Sequence, residues 1–326
     1  MMNAVTQYKY GGPEVLNIEQ VPMPLPKDTE VLIQVHATPI TTAGSFMREG
    51  VPYLGRLAIG LFKPKANIPG VGFSGEIKSV GKKVTQFKVG DKVFGETLFN
   101  QGTQAQYVCA DQNEVIAKKP NGLTHAEASP IIDGPLTSMN FLKLVADVKP
   151  NDRILVIGAS GSLGTAAVQI ASAMGATVTG VCSTRNIELV QSLGAKHVID
   201  YTCYDLNDIG KKFDVIYDTL GVSSYSVCKP LLEEEGTYMS PILNFKLLCQ
   251  ALWTAKFSKK KAKFSATGIL AKDELKKLLK QVMTFIEEDK LRMVMDRKYT
   301  IDQITEAHAY VDKGHKKGNV VVCISH

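Results

Sequence analysis

The chain is short of the residues that mark several function classes. It holds one tryptophan and six cysteines in 326 residues, and the cysteines (Cys109, Cys182, Cys203, Cys228, Cys249, Cys323) form no C-x-x-C pair. That scatter argues against a disulfide framework or a metal knuckle and for reduced thiols. No apolar run approaches the roughly 20 residues that span a bilayer. The first residues, MMNAVTQYKYGGPEV, lack the charged and apolar regions of a signal peptide, so the cytoplasm is the expected compartment. Strong charge is missing too. The net charge is +6, concentrated in residues 256–317, where 16 Lys and Arg stand against 9 Asp and Glu. Basicity this diffuse suits an anionic cofactor and does not argue for nucleic acid.

The composition that remains is that of a globular protein, 44% hydrophobic and 21% charged, and the length suits two domains. The informative stretch is 153–168, RILVIGASGSLGTAAV. Strand-forming residues lead into glycines 158, 161 and 164, and an Ala-rich helical start follows. This is the shape of a dinucleotide-binding turn. Gly158 allows the tight turn, Gly161 lets backbone approach a pyrophosphate, and Gly164 lets helix pack on strand, so that free N–H groups at the helix start meet phosphate. Its context, between a strand and a helix and at the head of an alternating series, makes the signal specific.

Upstream, the first 130 residues read as β-rich. A strand at 30–36 puts Val31, Ile33 and Val35 on one face and His36 on the other, where a solvated or packed histidine is expected. Residues 41–65 have mixed polarity and no period, a loop-like stretch of the kind that carries function. In 68–96, glycines at 70, 72, 75, 81, 90 and 95 break short strands, which fits a tightly turning barrel. From Thr124 the character changes: Thr124 and Glu127 form a capping box, and helical periodicity runs past Pro135.

Strands predicted at 153–157, 177–182, 197–199, 214–218 and 237–240 alternate with helices at 164–174, 186–193 and 225–232, which implies a parallel, doubly wound sheet. Residues 242–264 interrupt the series, with Leu247, Leu248, Ala251, Leu252 and Ala255 at helical spacing around Trp253. A lid or interface helix, core packing and a membrane-touching basic helix all stay open there. The run Lys259, Lys260, Lys261 reads as a solvated loop. A strand at 264–268, a helix at 272–289, a short helix and a final strand close the chain.

These motifs resemble the medium-chain dehydrogenase/reductase family, in its zinc-lacking, quinone oxidoreductase-like and enone reductase-like branch. The carriers are GGPEVL, VGKKVTQFKVGDKVFG (80–95), GPLTS (134–138), the glycine turn, SLGAKHVIDY (192–201) and EAHAYVDKGHKKGNVVV (306–322). The resemblance implies an α/β fold: a GroES-like β-rich catalytic domain from 1–125 and 270–326, with a Rossmann NADP-binding domain from 126–269 inserted and the active site in the cleft. A homodimer is implied by resemblance alone.

Zinc members of the family place a Cys, a Gly-His-Glu turn and a second Cys where this chain has Thr41, Gly70-Val71-Gly72 and Asp133. One carboxylate cannot hold zinc, so no metal is expected. An Asp is usual where Gly72 stands, and a polar or acidic residue is common where Gly44 stands. Both changes remove polar groups near the cleft.

The second strand of the series ends in VCSTRN, with no acid until Glu188. Ser183, Thr184 and Arg185 therefore fit a 2′-phosphate better than a free ribose hydroxyl, which selects NADPH. Ser160, Ser162 and Leu163 complete the phosphate turn. By resemblance, Tyr201 lies near the adenine end, Leu220 and Gly221 near the ribose, and Thr137, Gly268 and Ile269 near the nicotinamide. Asn319 takes a cofactor-side position that is often Lys in relatives.

The expected activity is hydride transfer from NADPH to a quinone or to the β-carbon of an α,β-unsaturated carbonyl. Tyr53 and Asp133 are the candidate proton donors, with Thr41 beside them; Asp133 needs burial to raise its pKa. An NADP-dependent alcohol or aldehyde dehydrogenase and a non-catalytic NADPH-binding protein are the alternatives.

Overall fold

The computed structural model describes residues 1–97, 102–206 and 209–325. The backbone divides into two compact units, one of Met1–Asp133 with the chain from Met295 onward, the other Gly134–Val294.

The first unit begins with strands β1 (Met2–Thr6) and β2 (Asn17–Val21), an antiparallel pair. Strands β3 (Glu30–Ile40), β4 (Gly72–Val80), β5 (Lys92–Glu96), β6 (Tyr107–Asp111) and β7 (Ile116–Lys118) follow. The alternation in β3 works as its sequence predicts: Val31, Ile33 and Val35 are fully buried with Phe73, Ile77 and Val93, each side chain contributing about 1.5–3 kcal/mol by burial. On the other face of β3 the His36 ring packs 4.6 Å from that of His125, whose Nδ1 lies 2.8 Å from Ser74 Oγ.

The stretch 41–65 is not a loop. Thr41 caps helix α1 (Thr42–Glu49) by accepting from Gly44 N at 2.9 Å, and Gly50 ends it at φ 67°. A short helix α2 (Arg56–Ile59) follows. The period of α1 was hidden because its buried residues are polar, Ser45 and Arg48.

Helix α3 (His125–Ala128) carries the predicted capping box of Thr124 and Glu127. The helical stretch beyond it is broken rather than continuous. A 3-10 turn spans Ser129–Ile132, then come α4 (Gly134–Asn140) and a π turn at Phe141–Val145. Pro130 and Pro135 sit at the starts of these pieces, where a missing N–H costs little.

The second unit is a six-stranded, wholly parallel sheet. Its strands are β8 (Arg153–Ile157), β9 (Thr177–Cys182), β10 (His197–Asp200), β11 (Phe213–Asp218), β12 (Leu232–Ser240) and β13 (Lys261–Phe264), in the order β10-β9-β8-β11-β12-β13. Helices α5 (Ser162–Ala173), α6 (Ile187–Ser192), α7 (Tyr225–Cys228), α8 (Phe245–Phe257) and α9 (Lys272–Glu287) complete it. The last strand begins earlier than 264, inside the lysine run. Lys261 belongs to an edge strand and its Nζ donates to Thr254 O at 2.8 Å and Ala255 O at 3.2 Å, the last carbonyls of α8. Helix α8 buries Leu247 and Thr254 and exposes Phe245, Leu252 and Trp253, so core packing does not describe it.

This unit also runs past 269, to Val294. Helix α9 buries Leu275, Leu278, Leu279 and Val282 within it, and Gln169 Nε2 donates to Arg292 O at 3.1 Å. The chain then returns to the first unit as β14 (Met295–Thr300), α10 (Ile304–Asp312) and β15 (Asn319–Cys323), which joins the larger sheet in the order β14-β15-β3-β4-β5-β7 with β6 on β3. Among the described residues no helix is long and apolar enough to cross a membrane.

Candidate active site

In the second unit the turn after β8 is shaped by close backbone approach. Gly158 has φ 78°, and a Cβ there would lie 2.6 Å from Leu220 Cγ. A Cβ on Gly164 would lie 2.0 Å from Gly158 O, so only glycine lets α5 start this close to the strand end. Gly161 differs. Its nearest neighbour would be Gly158 O at 3.5 Å, which leaves its Cα side open to a ligand. Gly161 caps α5 and has no side chain of its own to bond the first N–H groups of the helix. Helix α4 lies against this turn, with Ser138 Oγ donating to Leu163 O at 2.9 Å, and carries the half-buried Thr137.

The end of β9 supplies a second cluster. Ser183 precedes a 3-10 turn, Thr184–Asn186. Asn186, which the sequence did not single out, is 4% exposed and donates from Nδ2 to Ser160 Oγ at 3.0 Å and Ser183 Oγ at 3.3 Å. Both hydroxyls accept from it and so keep a hydrogen to donate to an anion. The Asn186 Oδ1 is buried without a partner among the described residues. Arg185 and Tyr201 are exposed beside them.

Thr184 does something the sequence did not predict. Its hydroxyl donates to Asp200 Oδ2, and Thr202 N and Oγ1 donate to Asp200 Oδ1 at 2.9 and 2.7 Å. These bonds, from Thr184 first, hold the Asp200 carboxyl below its ordinary value. An acid therefore does reach this corner, from β10 in register with Cys182, and it is already hydrogen-bonded.

A buried carboxylate arranges the next loop. Asp218 accepts from Gly221 N at 2.9 Å, Ser223 N at 2.8 Å and Tyr238 OH at 3.1 Å. The loop so held keeps Leu220 over Gly158. Gly221, at φ 65°, lies against Ile242. Gly268 and Ile269 lie on the 3-10 turn Thr267–Ile269. Asn140 Nδ2 holds the approach to that turn through Ser265 Oγ at 3.0 Å and Thr267 Oγ1 at 2.9 Å. A glycine cradle, a helix start with a glycine cap and the Ser160 and Ser183 hydroxyls together fit a dinucleotide.

In the first unit a pocket is lined by Tyr10, Gly44, Met47, Ile59, Val71 and Thr97. Thr41, Tyr53 and Asp133 are not gathered in its lining. Thr41 caps α1, and Tyr53 is 73% exposed with the Arg56 guanidinium 4.7 Å over its ring. Asp133 ends the 3-10 turn Ser129–Ile132 and is half-buried.

Lys316, another residue missed in the sequence, lies in the electrostatic field of Asp133. Its Nζ donates to Gly318 O at 2.9 Å, and burial lowers its ammonium while Asp133 and Asp296 act against that. Asp296 Oδ2 fixes this loop by accepting from Lys317 N at 2.8 Å and Tyr310 OH at 2.7 Å. Asn319 is buried at the start of β15.

The first unit also holds buried titratable groups. Glu96 is pushed up to about 8 by burial, with Glu114 and Asp133 adding to the effect. His308 is pushed down to about 4 by burial, then by Arg48, whose Nη1 is 2.8 Å from His308 Nδ1. Burial likewise raises the Cys109 thiol to about 12 and the Cys182 and Cys228 thiols to about 11, so none is a neutral-pH nucleophile. Among the described residues no three His, Cys, Asp or Glu side chains form a metal-holding group.

Known proteins share this fold. Residues 27–121 match the alcohol dehydrogenase GroES-like domain, and residues 193–322 match the zinc-binding dehydrogenase domain. The chain is 30% identical to a chloroplast envelope quinone oxidoreductase homolog of Arabidopsis thaliana, over 99% of this chain and 98% of that protein. It is also 30% identical to the mitochondrial NAD(P)H oxidoreductase RTN4IP1 of Mus musculus, over 96% of this chain and 87% of the other. The quinone oxidoreductase structure from Coxiella burnetii superposes with a TM-score of 0.87 at 28% identity, covering 99% of each chain. The chain therefore belongs to the medium-chain dehydrogenase/reductase family, as a quinone oxidoreductase-like protein.

Proposed function

We propose that this protein is a zinc-independent oxidoreductase that reduces a quinone or an α,β-unsaturated carbonyl with NADPH. The observation that carries this is the turn Gly158–Gly164, with its open face at Gly161 and a glycine at the cap of α5. When bound there, NADPH supplies the hydride.

Gly158, Ser160, Gly161, Ser162, Leu163 and Gly164 hold the pyrophosphate in this proposal. Ser183 and Arg185 meet the 2′-phosphate, with Thr184 as their anchor on Asp200. Tyr201 takes the adenine end, and Leu220 and Gly221 take the ribose. Thr137, Gly268 and Ile269 complete the nicotinamide side.

Zinc independence rests on the donor set. Thr41, Val71, Gly72 and Asp133 offer one carboxylate and neither imidazole nor thiolate. Asp133 is the proton donor of this proposal because it is half-buried, whereas Tyr53 is 73% exposed. The edge strand β13 and the exposed face of α8 support a homodimer through the second unit. The two relatives above are named for chloroplast and mitochondrion, so they lend nothing to a cytoplasmic location.

Purified protein is assayed for NADPH oxidation with a panel of quinones, enones and aldehydes. Turnover of quinones or enones is expected, with NADPH preferred over NADH. Turnover of aldehydes alone favours the alcohol or aldehyde dehydrogenase alternative. Tight NADPH binding with no acceptor turned over leaves a non-catalytic binding protein. Stoichiometric zinc after dialysis overturns the metal assignment.

A further inference from the structure

Two serine hydroxyls from neighbouring strand ends share one amide. Ser160 lies in the glycine turn after β8 and Ser183 directly follows β9, and the two strand ends are tied by Ala159 N donating to Val181 O at 3.0 Å. Asn186 Nδ2 donates to Ser160 Oγ at 3.0 Å and to Ser183 Oγ at 3.3 Å, so both hydrogens of a single NH2 group are engaged. Among the described residues neither hydroxyl donates to the protein. Each serine therefore accepts from the amide and keeps its own hydrogen for a ligand.

Asn186 forgoes the usual work of an asparagine in its place. Asn244 caps α8 by accepting from Leu247 N at 2.8 Å, whereas Asn186, at the same position before α6, bonds none of that helix's N–H groups through its side chain. Its Oδ1 is buried with no partner among the described residues. Turning the amide over would bury the two hydrogens of Nδ2 without a partner instead, and both serines would then donate inward. An orphaned acceptor is better tolerated than an orphaned donor, so the donor end belongs on the serines. Asn186 is 4% exposed and Val190, one turn further along, is fully buried, which leaves the amide little room to swing.

We propose that Asn186 is a positioning residue that selects NADPH, by aiming the Ser160 hydroxyl at the pyrophosphate and the Ser183 hydroxyl at the 2′-phosphate. This rests on the cofactor placement proposed above and on no part of the hydride step. A phosphate accepts from these hydroxyls without either serine giving up a bond to the protein, so the donors are organised before the ligand arrives. The bond from Ser183 to a 2′-phosphate is charge-assisted and roughly twice as strong as one to a neutral ribose hydroxyl. Fixing that hydrogen outward therefore favours the phosphorylated dinucleotide over the one with a free ribose.

Calorimetry on the full-length protein with NADPH and with NADH tests this through the ratio of the two dissociation constants. Asn186→Ala should cut the preference for NADPH roughly tenfold, the low end for a hydrogen bond to a charged group. Asn186→Leu, which removes both donors while filling the space, should do the same and decides the question if Asn186→Ala does not fold. Made on a Ser183→Ala background, either change should leave the ratio where Ser183→Ala puts it, because Asn186 acts on that ratio through the Ser183 hydroxyl.

Equal losses of NADPH and NADH affinity overturn the proposal, since a disturbed fold weakens both. A fall in the ratio of the same size on the Ser183→Ala background overturns it as well. A wild type with no preference for NADPH overturns the 2′-phosphate corner proposed above and this role with it. A wild-type preference that survives Asn186→Ala and Asn186→Leu overturns this role alone and leaves the cofactor placement standing.

Discussion

In the second unit, the candidate cofactor turn is one unbroken run, Gly158 to Gly164, and its shape follows from where a Cβ would collide. In the first unit, Glu96, Asp133 and Lys316 come from three segments far apart in sequence, and what marks them is charge wholly or partly removed from water. Backbone sterics act between near neighbours in the chain and tolerate almost no substitution. Desolvation acts through whatever the fold packs around a group. One half of this protein is therefore built on positions that must be small, the other on positions whose chemistry depends on their surroundings.

The largest expected effect breaks the comparison on the electrostatic side. Glu96 has a folded-state value of about 8 against an ordinary 4.5. The folded state alone binds the proton between those values, so stability associated with Glu96 is present below 4.5 and is lost as pH rises to 8. Urea unfolding of wild type and Glu96→Gln at a series of pH values should show the difference falling by roughly 5 kcal/mol across that window, at about 1.4 kcal/mol per unit. A difference flat in pH would mean that Glu96 is hydrated.

Next comes Arg48, fully buried, with its Nη2 2.7 Å from Asp312 Oδ2 and its Nε donating to Gly11 O at 3.1 Å. Arg48→Met should destabilise by about 3 kcal/mol, the low end for a broken buried pair. The Asp312 side chain is 23% exposed, and partial hydration softens the loss. Chemical denaturation measures it, and a loss below 1 kcal/mol counts against the network.

On the steric side, Gly164→Ala forces a methyl onto Gly158 O. A cost of about 2 kcal/mol and loss of measurable NADPH binding by calorimetry are expected. Gly161→Ala sharpens the contrast, since open space beside it predicts a stability change within about 0.5 kcal/mol and a weaker NADPH Kd. If both variants lose stability alike, the open face at Gly161 is not a ligand face.

Much of the second unit was legible because its signals are local. The strands of the parallel series and the glycine turn were each readable within a few residues, as was the Thr124 capping box in the first unit. Thr184 was readable as a hydroxyl at the right place, but its bond to Asp200 depends on β10 lying beside β9. Asn186 gave one weak signal, its place directly after Ser-Thr-Arg. Helix α1 was hidden because Ser45 and Arg48 are its buried residues, and a polar buried face leaves no hydrophobic period. Pro130 and Pro135 broke a helix whose apolar period ran through them. The strand at Lys261 was masked by charge, because its lysine caps α8 instead of facing water.

By itself the sequence determined the two-part α/β architecture, the family and the shape of the glycine turn, since periodicity and glycine sterics act over a few residues. Only the tertiary structure decided that Thr184 anchors on Asp200, that α9 belongs to the second unit, and that Glu96 stands opposite Gly72 in the field of Asp133. Those facts depend on desolvation and on strand register, which link residues distant in the chain.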